Sequence, residues 1–583
     1  MLPTIPLFSA WRQSLRAGYS LRALRGDLGA GLTVGIIAIP LAMALAIAVG
    51  VPPQHGLYTV LVAAPLIALS GGSRFNVTGP TAAFVVILLP IVQQYGLGGL
   101  LLCTLLAGLI LVAMGLGRVG RLIQFIPYPV TLGFTAGIGI VIATLQLKDF
   151  LGLQVHGQPQ HYLEQAGLLL RSLPSLRPGD SLVGLSALAI LVAWPRLFPK
   201  IPGHLVALAG GLLLGLLLER LGLPVATLGE RFSYEHEGVV HAGIPPYLPS
   251  FQLPWNLPGP DGRPLGLSFE LIRQLLAPAF SIAMLGAIES LLCAVVADGM
   301  TGSRHDPNGE LLGQGLGNLV APLFGGITAT AAIARTAANI RAGAFSPLAA
   351  MLHAGVVLLA MLFLAPLFSY LPMAALAALL MMVAWNMSEA PHVVHTLRIA
   401  PRSDVLVLLA CLVLTVLFDM VLAVGVGLLL AAGLFVKRMS ELTDTASLPR
   451  GFHQALADLP APVLAYAIRG PLFFGAAEKA LSVLRRLNPE AKVVIIEMSA
   501  VPMLDLTALA ALESMLLEYR QRGIGVIFCG CNARLRLKLK RAGIHPAAGR
   551  LAFVHNLEVA RRKAEAWLAG AASEADGLAA QAN

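Results

Sequence analysis

The sequence predicts a polytopic α-helical membrane protein with a small α/β domain at its C-terminal end. Three observations carry this. Of 583 residues, 57% are apolar and only 12% are charged, against about 25% charged in soluble domains. Mean hydropathy is +0.79 over the whole chain, too apolar for a single large soluble core. The composition then changes after residue 436, where short strand-like and helix-like stretches alternate.

A spanning helix needs about 20 apolar residues. Fourteen segments qualify, several of them short: 28–50, 56–71, 79–94, 97–117, 122–146, 181–195, 202–218, 271–297, 311–325, 331–342, 346–369, 371–386, 403–419 and 421–436. With fourteen spans, the basic residues Arg12, Arg16, Arg22, Arg25, Arg118, Arg121, Arg196, Lys200, Arg398, Arg402, Lys437 and Arg438 all fall on one side, the side expected to be cytoplasmic. The net charge of +10 is therefore topogenic, and no nucleic-acid partner is expected. The Pro-rich loop 219–270, with Glu230, Glu235, Glu237 and Asp261, reads as extracytoplasmic. The domain expectation is an N-terminal cytoplasmic segment 1–27, a membrane domain 28–436 and a cytoplasmic linker with an α/β domain over 437–583. Residues 1–27 hold no apolar core of the kind a cleavable signal has. The location implied is the inner (cytoplasmic) membrane, with both termini in the cytoplasm.

In the tail, 463–469, 493–498 and 523–529 read as strands, and 506–520 and 533–541 as helices. Such alternation implies a mainly parallel sheet. Cys103, Cys293 and Cys411 lie in apolar runs, and Cys529 and Cys531 form a lone C-x-C without a second pair at zinc spacing. No metal site is expected.

Two segments about 250 residues apart resemble each other. FNVTGPTAA at 75–83 and GITATAA at 326–332 each place a β-branched extended run and threonines before a short apolar helix. Seven spans separate the copies, so the halves are inverted relative to one another, a 7+7 repeat. Extended backbone at membrane depth is tolerated only inside protein or along a cavity. A helix beginning there offers free N–H groups and a partial positive charge. Two such half-helices, with Thr78, Gly79, Thr81, Thr328 and Thr330, form a candidate anion site; ordinary small-residue helix packing is the alternative. Glu289 sits mid-span within AIESLL. An ionisable group at that depth is a functional candidate by default, here as a proton-coupling carboxylate, against a structural hydrogen-bonding role. Arg335 follows the second half-helix's first turn and is suited to pair with a substrate carboxylate, or with Glu289. Pro40 interrupts the first span, with Leu41 and Leu45 beside it as candidate cavity-facing residues and Leu41 a candidate substrate contact; a simple kink is the alternative.

QHGLY at 54–58, the VTGPTAA run, ELLGQGLGN at 310–318 and ARTAANIRAGA at 334–344 together resemble the SulP anion permease family. VIIEMSAVPMLDLTALAAL at 493–511 resembles that family's STAS domain. SIAMLGAIESLLCAVVADGMTG at 281–302 and ALLMMVAWNMSEA at 378–390 look closest to DauA-type members, which carry C4-dicarboxylates. The resemblance implies a core domain moving against a gate domain, a homodimer and a cytoplasmic STAS domain open to a protein partner. It implies proton-coupled uptake of a small dianion such as succinate, fumarate or aspartate. Sulfate, bicarbonate or another inorganic anion is the alternative, and a membrane anion sensor signalling through the STAS domain a second. Where sodium-coupled relatives carry hydroxyl ligands this chain has Cys293 and Ile333, poor ligands for a hard cation, so the expected coupling ion is H+, with no cofactor. Ala334 and Leu41 replace a serine and a glutamine of animal relatives. Asp298, Asn308, Glu310 and Gln314 read as ties between a loop and the core, Asn339 and Arg341 as cytoplasm-facing packing residues, and Asp419 as a turn residue. Asp505 and Thr507 match the loop phosphorylated in some free-standing STAS proteins, but Leu506 occupies the acceptor position, and Asp505 serves as a helix cap. The basic run ARLRLKLKRAG at 533–543 reads as a solvated helix face or a membrane-surface contact. No enzyme signature appears.

Overall fold

The structure, a computed structural model, describes residues 7–581 apart from 124–125, 156, 158–161, 199–200, 237, 260–261, 419, 449–455, 457–458 and 486–489. Asp419, Lys200, Glu237 and Asp261 thus lie outside the described residues. The chain divides into two compact units, 1–429 and 430–583.

In the first unit the apolar runs become helices α1 (Leu21–Val49), α2 (Gln54–Ser70), α3 (Val85–Leu116), α4 (Tyr128–Phe150), α5 (Pro178–Leu197), α6 (Gly203–Arg220), α7 (Phe269–Thr301), α8 (Pro307–Val320), α9 (Ile333–Arg341), α10 (Leu348–Phe368), α11 (Met373–Ser388) and α12 (Arg402–Leu417). A last helix, α13 (Met420–Glu441), ends in the second unit. Among the described residues, nine helices are long and apolar enough to cross a membrane. The spans expected at 79–94 and 97–117 stand as two helical stretches of α3 separated by a kink at Gly96, whose non-helical φ of 68° and ψ of −171° only glycine adopts without strain. The helix that holds the 28–50 span begins earlier, at Leu21. The second compact unit begins at Leu430, within α13.

Local chemistry sets the helix ends. Ser20 caps α1 through the Ala23 N–H at 3.2 Å, and Gly50 at φ 89° ends it. Ser268 caps α7 through the Leu271 N–H at 3.1 Å, and Gly302 at φ 70° ends it. Each of the two long helices also carries one internal proline, Pro40 and Pro278. The same design thus opens both halves of the repeat. Packing follows the same symmetry: α1 lies on α10 as α7 lies on α3, and α4 on α12 as α11 on α5. The helices α1–α3 and α7–α10 form one bundle, and α4–α6, α11 and α12 another, touching mainly where α11 meets α1. Small residues permit the closest crossings. A Cβ on Gly108 would stand 2.7 Å from the Leu319 nitrogen, and one on Gly315 2.7 Å from the Val112 nitrogen, so α3 and α8 meet backbone to backbone.

Short strands β1 (Thr78–Gly79) and β4 (Thr330–Ala331) pair antiparallel inside this unit. The loop after α6 folds into a hairpin, β2 (Ser233–His236) with β3 (Val239–Ala242), which the sequence does not announce because its strands are exposed and short.

The second unit holds a five-stranded sheet in sequence order, β5 (Asp444–Ser447), β6 (Val463–Arg469), β7 (Val493–Glu497), β8 (Gly525–Cys529) and β9 (Leu551–Val554). β6 to β9 are parallel and β5 is an antiparallel edge. Helices α14 (Ala477–Arg485), α15 (Leu506–Gln521) and α16 (Ala533–Arg541) pack on one face and α17 (Leu557–Gln581) on the other. Burial pushes the Cys529 thiol up to about 12 and the Cys531 thiol up to about 11, so both stay protonated at neutral pH. Asp505 accepts from the Ala508 N–H at 2.8 Å and the Phe474 N–H at 2.9 Å. Asp505→Ala is expected to lower the stability of this unit by about 1 kcal/mol, read as a lower thermal midpoint of the STAS transition in the full chain; an unchanged midpoint contradicts the capping role.

Candidate functional site

Backbone at membrane depth must find partners within the protein, and here long-range side chains supply them. Thr78 pairs with Ala331 and Gly79 with Thr330. The Ala332 N–H donates to the Val77 carbonyl at 3.1 Å, and the Val77 N–H to Thr336 Oγ1 at 3.0 Å. Asn318 acts as an extra strand edge: its Oδ1 accepts from the Ala329 N–H and its Nδ2 donates to the Ala329 carbonyl, both at 2.8 Å. Thr59 donates to the Ile327 carbonyl at 3.1 Å.

Glu310 secures the approach to β1. Its carboxylate accepts from the Gly72 and Ser73 N–H groups, Asn76 Nδ2 and Gln314 Nε2 at 2.8–3.1 Å. Asn308 Oδ1 accepts from the Gly120 N–H at 3.2 Å, and Asp298 accepts from Ser303 and His305. These residues tie loops to the bundle. Buried Asn339 donates to the Phe75 carbonyl at 3.0 Å, while Arg341 is exposed.

Two half-helices leave the strand pair in opposite directions. One starts at Ala82 as a 3-10 turn, Ala82–Phe84, and continues as α3; the other is α9. Their N-cap residues, Thr81 (φ −126°, ψ 154°) and Ala332 (φ −117°, ψ 127°), are extended, and neither end receives a side-chain cap. The N-terminal N–H groups of both therefore remain available, with their partial positive charge.

Thr81 has the side chain to cap its own helix. It points elsewhere, donating to Glu289 Oε2 at 3.1 Å. Glu289 is half-buried on α7. Arg335 is 2% exposed. Its Nη2 donates to the Pro80 carbonyl at 2.8 Å, whereas Nε and Nη1 have no protein partner. Arg335 forms no ion pair with Glu289. The guanidinium lies against β1: a Cβ on Gly79 would stand 2.6 Å from Nη1. Glycine at 79 is what lets the cation occupy this position.

The threonines divide into two groups. Thr78 Oγ1 accepts from Gln314 Nε2 at 3.3 Å, Thr328 Oγ1 lies 2.7 Å from Thr104 Oγ1, and Thr330 Oγ1 donates to the Gly286 carbonyl at 3.0 Å. These three hydroxyls hold the strand pair together, while Thr81 faces the carboxylate. Cys293 Sγ donates to Thr336 Oγ1 at 3.0 Å, and Ile333 is 45% exposed at the first turn of α9. Leu41 is half-buried on α1 after buried Pro40, and Leu45 is buried; neither has a polar role. Sequence reasoning passed over Asn318, Thr336, Thr104 and Thr59. The signal for Asn318 was present: with Gln314 it forms a polar i, i+4 pair on an otherwise small and apolar helix.

A buried cation with two open donors, two uncapped helix ends and a nearby carboxylate are groups with the chemistry to hold an anion. The model of the sulfate permease family matches residues 24–411, and that of the STAS domain residues 456–553. The Bacillus subtilis protein YvdB, whose name provisionally assigns it sulfate transport, is 40% identical over 540 residues, 92% of this chain and 97% of YvdB. The bicarbonate transporter BicA of Picosynechococcus is 30% identical over 547 residues, 89% of this chain and 91% of BicA. The solved transmembrane domain of a cyanobacterial BicA superposes with a TM-score of 0.58 at 29% identity, covering 71% of this chain and 99% of that one. The fold of SLC26A9 matches with a TM-score of 0.77 at 18% identity, over 91% of this chain and 88% of that chain. The chain belongs to the sulfate permease family of multi-pass membrane anion transporters and ends in a STAS domain.

Proposed function

We propose that this protein is a secondary active transporter that takes up a small inorganic oxyanion, sulfate or bicarbonate, together with a proton. The observation that carries this is the buried Arg335 guanidinium, whose Nε and Nη1 are unpartnered between two uncapped helix ends. Gly79, Thr81, Arg335 and the helix-end N–H groups contact the anion, and Thr78, Thr328 and Thr330 hold the frame.

Glu289 supplies the coupling. While ionised it offsets the positive charge of Arg335 and the helix ends, and competes with the anion. Once protonated it leaves that charge uncompensated, so anion and proton bind together with reciprocal coupling. The bundle α1–α3 with α7–α10 carries the loaded site past the other bundle. The protein works as a homodimer in the inner membrane with cytoplasmic termini.

C4-dicarboxylates are the second reading. Half-buried Leu41 and exposed Ile333 offer apolar surface that a carbon backbone would use. The quoted relatives are named for sulfate and bicarbonate, which supports an inorganic anion as the first reading.

Uptake into proteoliposomes decides between them. Labelled sulfate, bicarbonate and succinate are compared under separate proton and sodium gradients. Accumulation of an inorganic anion under the proton gradient is expected. Accumulation of succinate alone overturns the substrate assignment, and accumulation only under sodium overturns the coupling ion.

A further inference from the structure

The STAS unit carries an exposed apolar edge that the transport site does not use. Phe474 is 64% exposed, Leu506 80%, Leu537 50% and Met503 49%. They come from three segments that the fold joins. The Leu472 N–H donates to the Met503 carbonyl at 3.1 Å, and the Asp505 N–H to the Leu472 carbonyl at 3.1 Å. Lys538 Nζ donates to the Leu504 carbonyl at 2.7 Å, which sets α16 beside the same edge.

Charge adds a second constraint. Helix α16 holds Arg534, Arg536, Lys538, Lys540 and Arg541 and no acidic residue. Leu535 and Leu539 are buried inward, so Arg534, Leu537, Lys538 and Arg541 at i, i+3, i+4 and i+7 share the flank that Lys538 turns towards Leu504. Asp505 at this edge is already occupied by two backbone N–H groups, while the exposed Glu441 and Glu478 flank the 470–475 loop.

A third observation gives the location. The 470–475 loop packs on the base of the last span within the same unit. Ser440 Oγ donates to the Gly475 carbonyl, Thr443 Oγ1 to the Pro471 carbonyl at 2.9 Å, and a Cβ on Gly475 would lie 3.6 Å from Val436. Val436 is the last residue of the apolar run, and Lys437 and Arg438 follow it. Phe474 therefore lies beside the end of the apolar run of α13.

We infer that this edge docks on the lipid surface, with Phe474, Met503, Leu506 and Leu537 entering the interface and the cations of α16 binding anionic headgroups. Exposed apolar side chains beside a helix rich in Lys and Arg are the chemistry of a peripheral lipid contact. The inference does not depend on which anion is transported.

The test uses the full chain in nanodiscs of phosphatidylcholine, with and without phosphatidylglycerol. A spin label is placed at Leu506→Cys in a Cys531→Ser background, the other four cysteines being buried. A control label at Val559→Cys sits on α17, across the sheet. In anionic discs the 506 label should exchange nickel for oxygen collisions, its oxygen-to-nickel ratio rising at least five-fold, while the 559 label does not change. Each exposed cation near an anionic surface contributes about five-fold, so Arg534→Gln with Arg541→Gln should lower the docking equilibrium about 25-fold. Arg534→Lys with Arg541→Lys should retain it. A 506 label that stays aqueous in both lipids overturns the inference. So does one that is shielded equally in both, since a protein surface then covers the edge.

Discussion

Glu289→Gln is expected to abolish proton-driven accumulation while leaving anion exchange in place. Glutamine keeps the size of the side chain, and its amide oxygen still accepts the Thr81 hydroxyl that Glu289 Oε2 accepts at 3.1 Å. What it loses is the ability to alternate between charged and neutral. The site then stays permanently in the state that protonation creates, with Arg335 uncompensated and the anion held. One pH unit across the membrane is worth about 1.4 kcal/mol, or tenfold accumulation for one proton per anion. The expected result in proteoliposomes is a ratio that falls from about tenfold to unity under that gradient, with counterflow of labelled anion preserved. A variant that still concentrates its anion removes Glu289 from coupling.

Gly79→Ala and Arg335→Ala should each weaken anion binding far more than folding. The methyl group that Gly79→Ala adds would stand 2.6 Å from Arg335 Nη1 and 3.3 Å from Val60 Cγ2, so the guanidinium must leave its seat on β1. Charge-assisted hydrogen bonds are worth about 1.5–3 kcal/mol each. Loss of one such bond predicts at least a tenfold rise in Kd for Gly79→Ala, and loss of two about a hundredfold or more for Arg335→Ala. Arg335→Ala strands only the Pro80 carbonyl, an expected stability loss of about 1–3 kcal/mol. Arg335→Lys should not restore affinity, because an ammonium cannot reach Pro80 and present two further donors in the same plane. Calorimetric titration with sulfate and bicarbonate, paired with thermal unfolding of each variant, separates the two effects. Unchanged Kd in well-folded Arg335→Ala excludes this arginine from the site.

Much of the fold was legible from local patterns. Apolar runs, Ser20 and Ser268 as caps, and Gly50 and Gly302 as stops are each read within a few residues of chain. Strand β6 and helix α16 fall where alternation and turn residues put them. Other elements were not. The edge strand β5 and the last strand β9 are too short to stand out before their neighbours are known.

The candidate site shows the same division. Inverted copies at 75–83 and 326–332, a carboxylate at mid-membrane depth and an arginine near a half-helix start are properties of the sequence, because insertion into a bilayer penalises such residues one by one. Which groups meet is a different matter. The pairing of Thr78 with Ala331, the Asn318 clamp on Ala329, the Thr81 hydroxyl turned to Glu289 and the guanidinium laid over Gly79 join segments mostly more than 200 residues apart. Hydrophobicity and capping are short-range and written residue by residue. The assignment of three threonines to the frame and one to the carboxylate came only from tertiary packing, where each buried polar group takes the partner that the fold brings within reach.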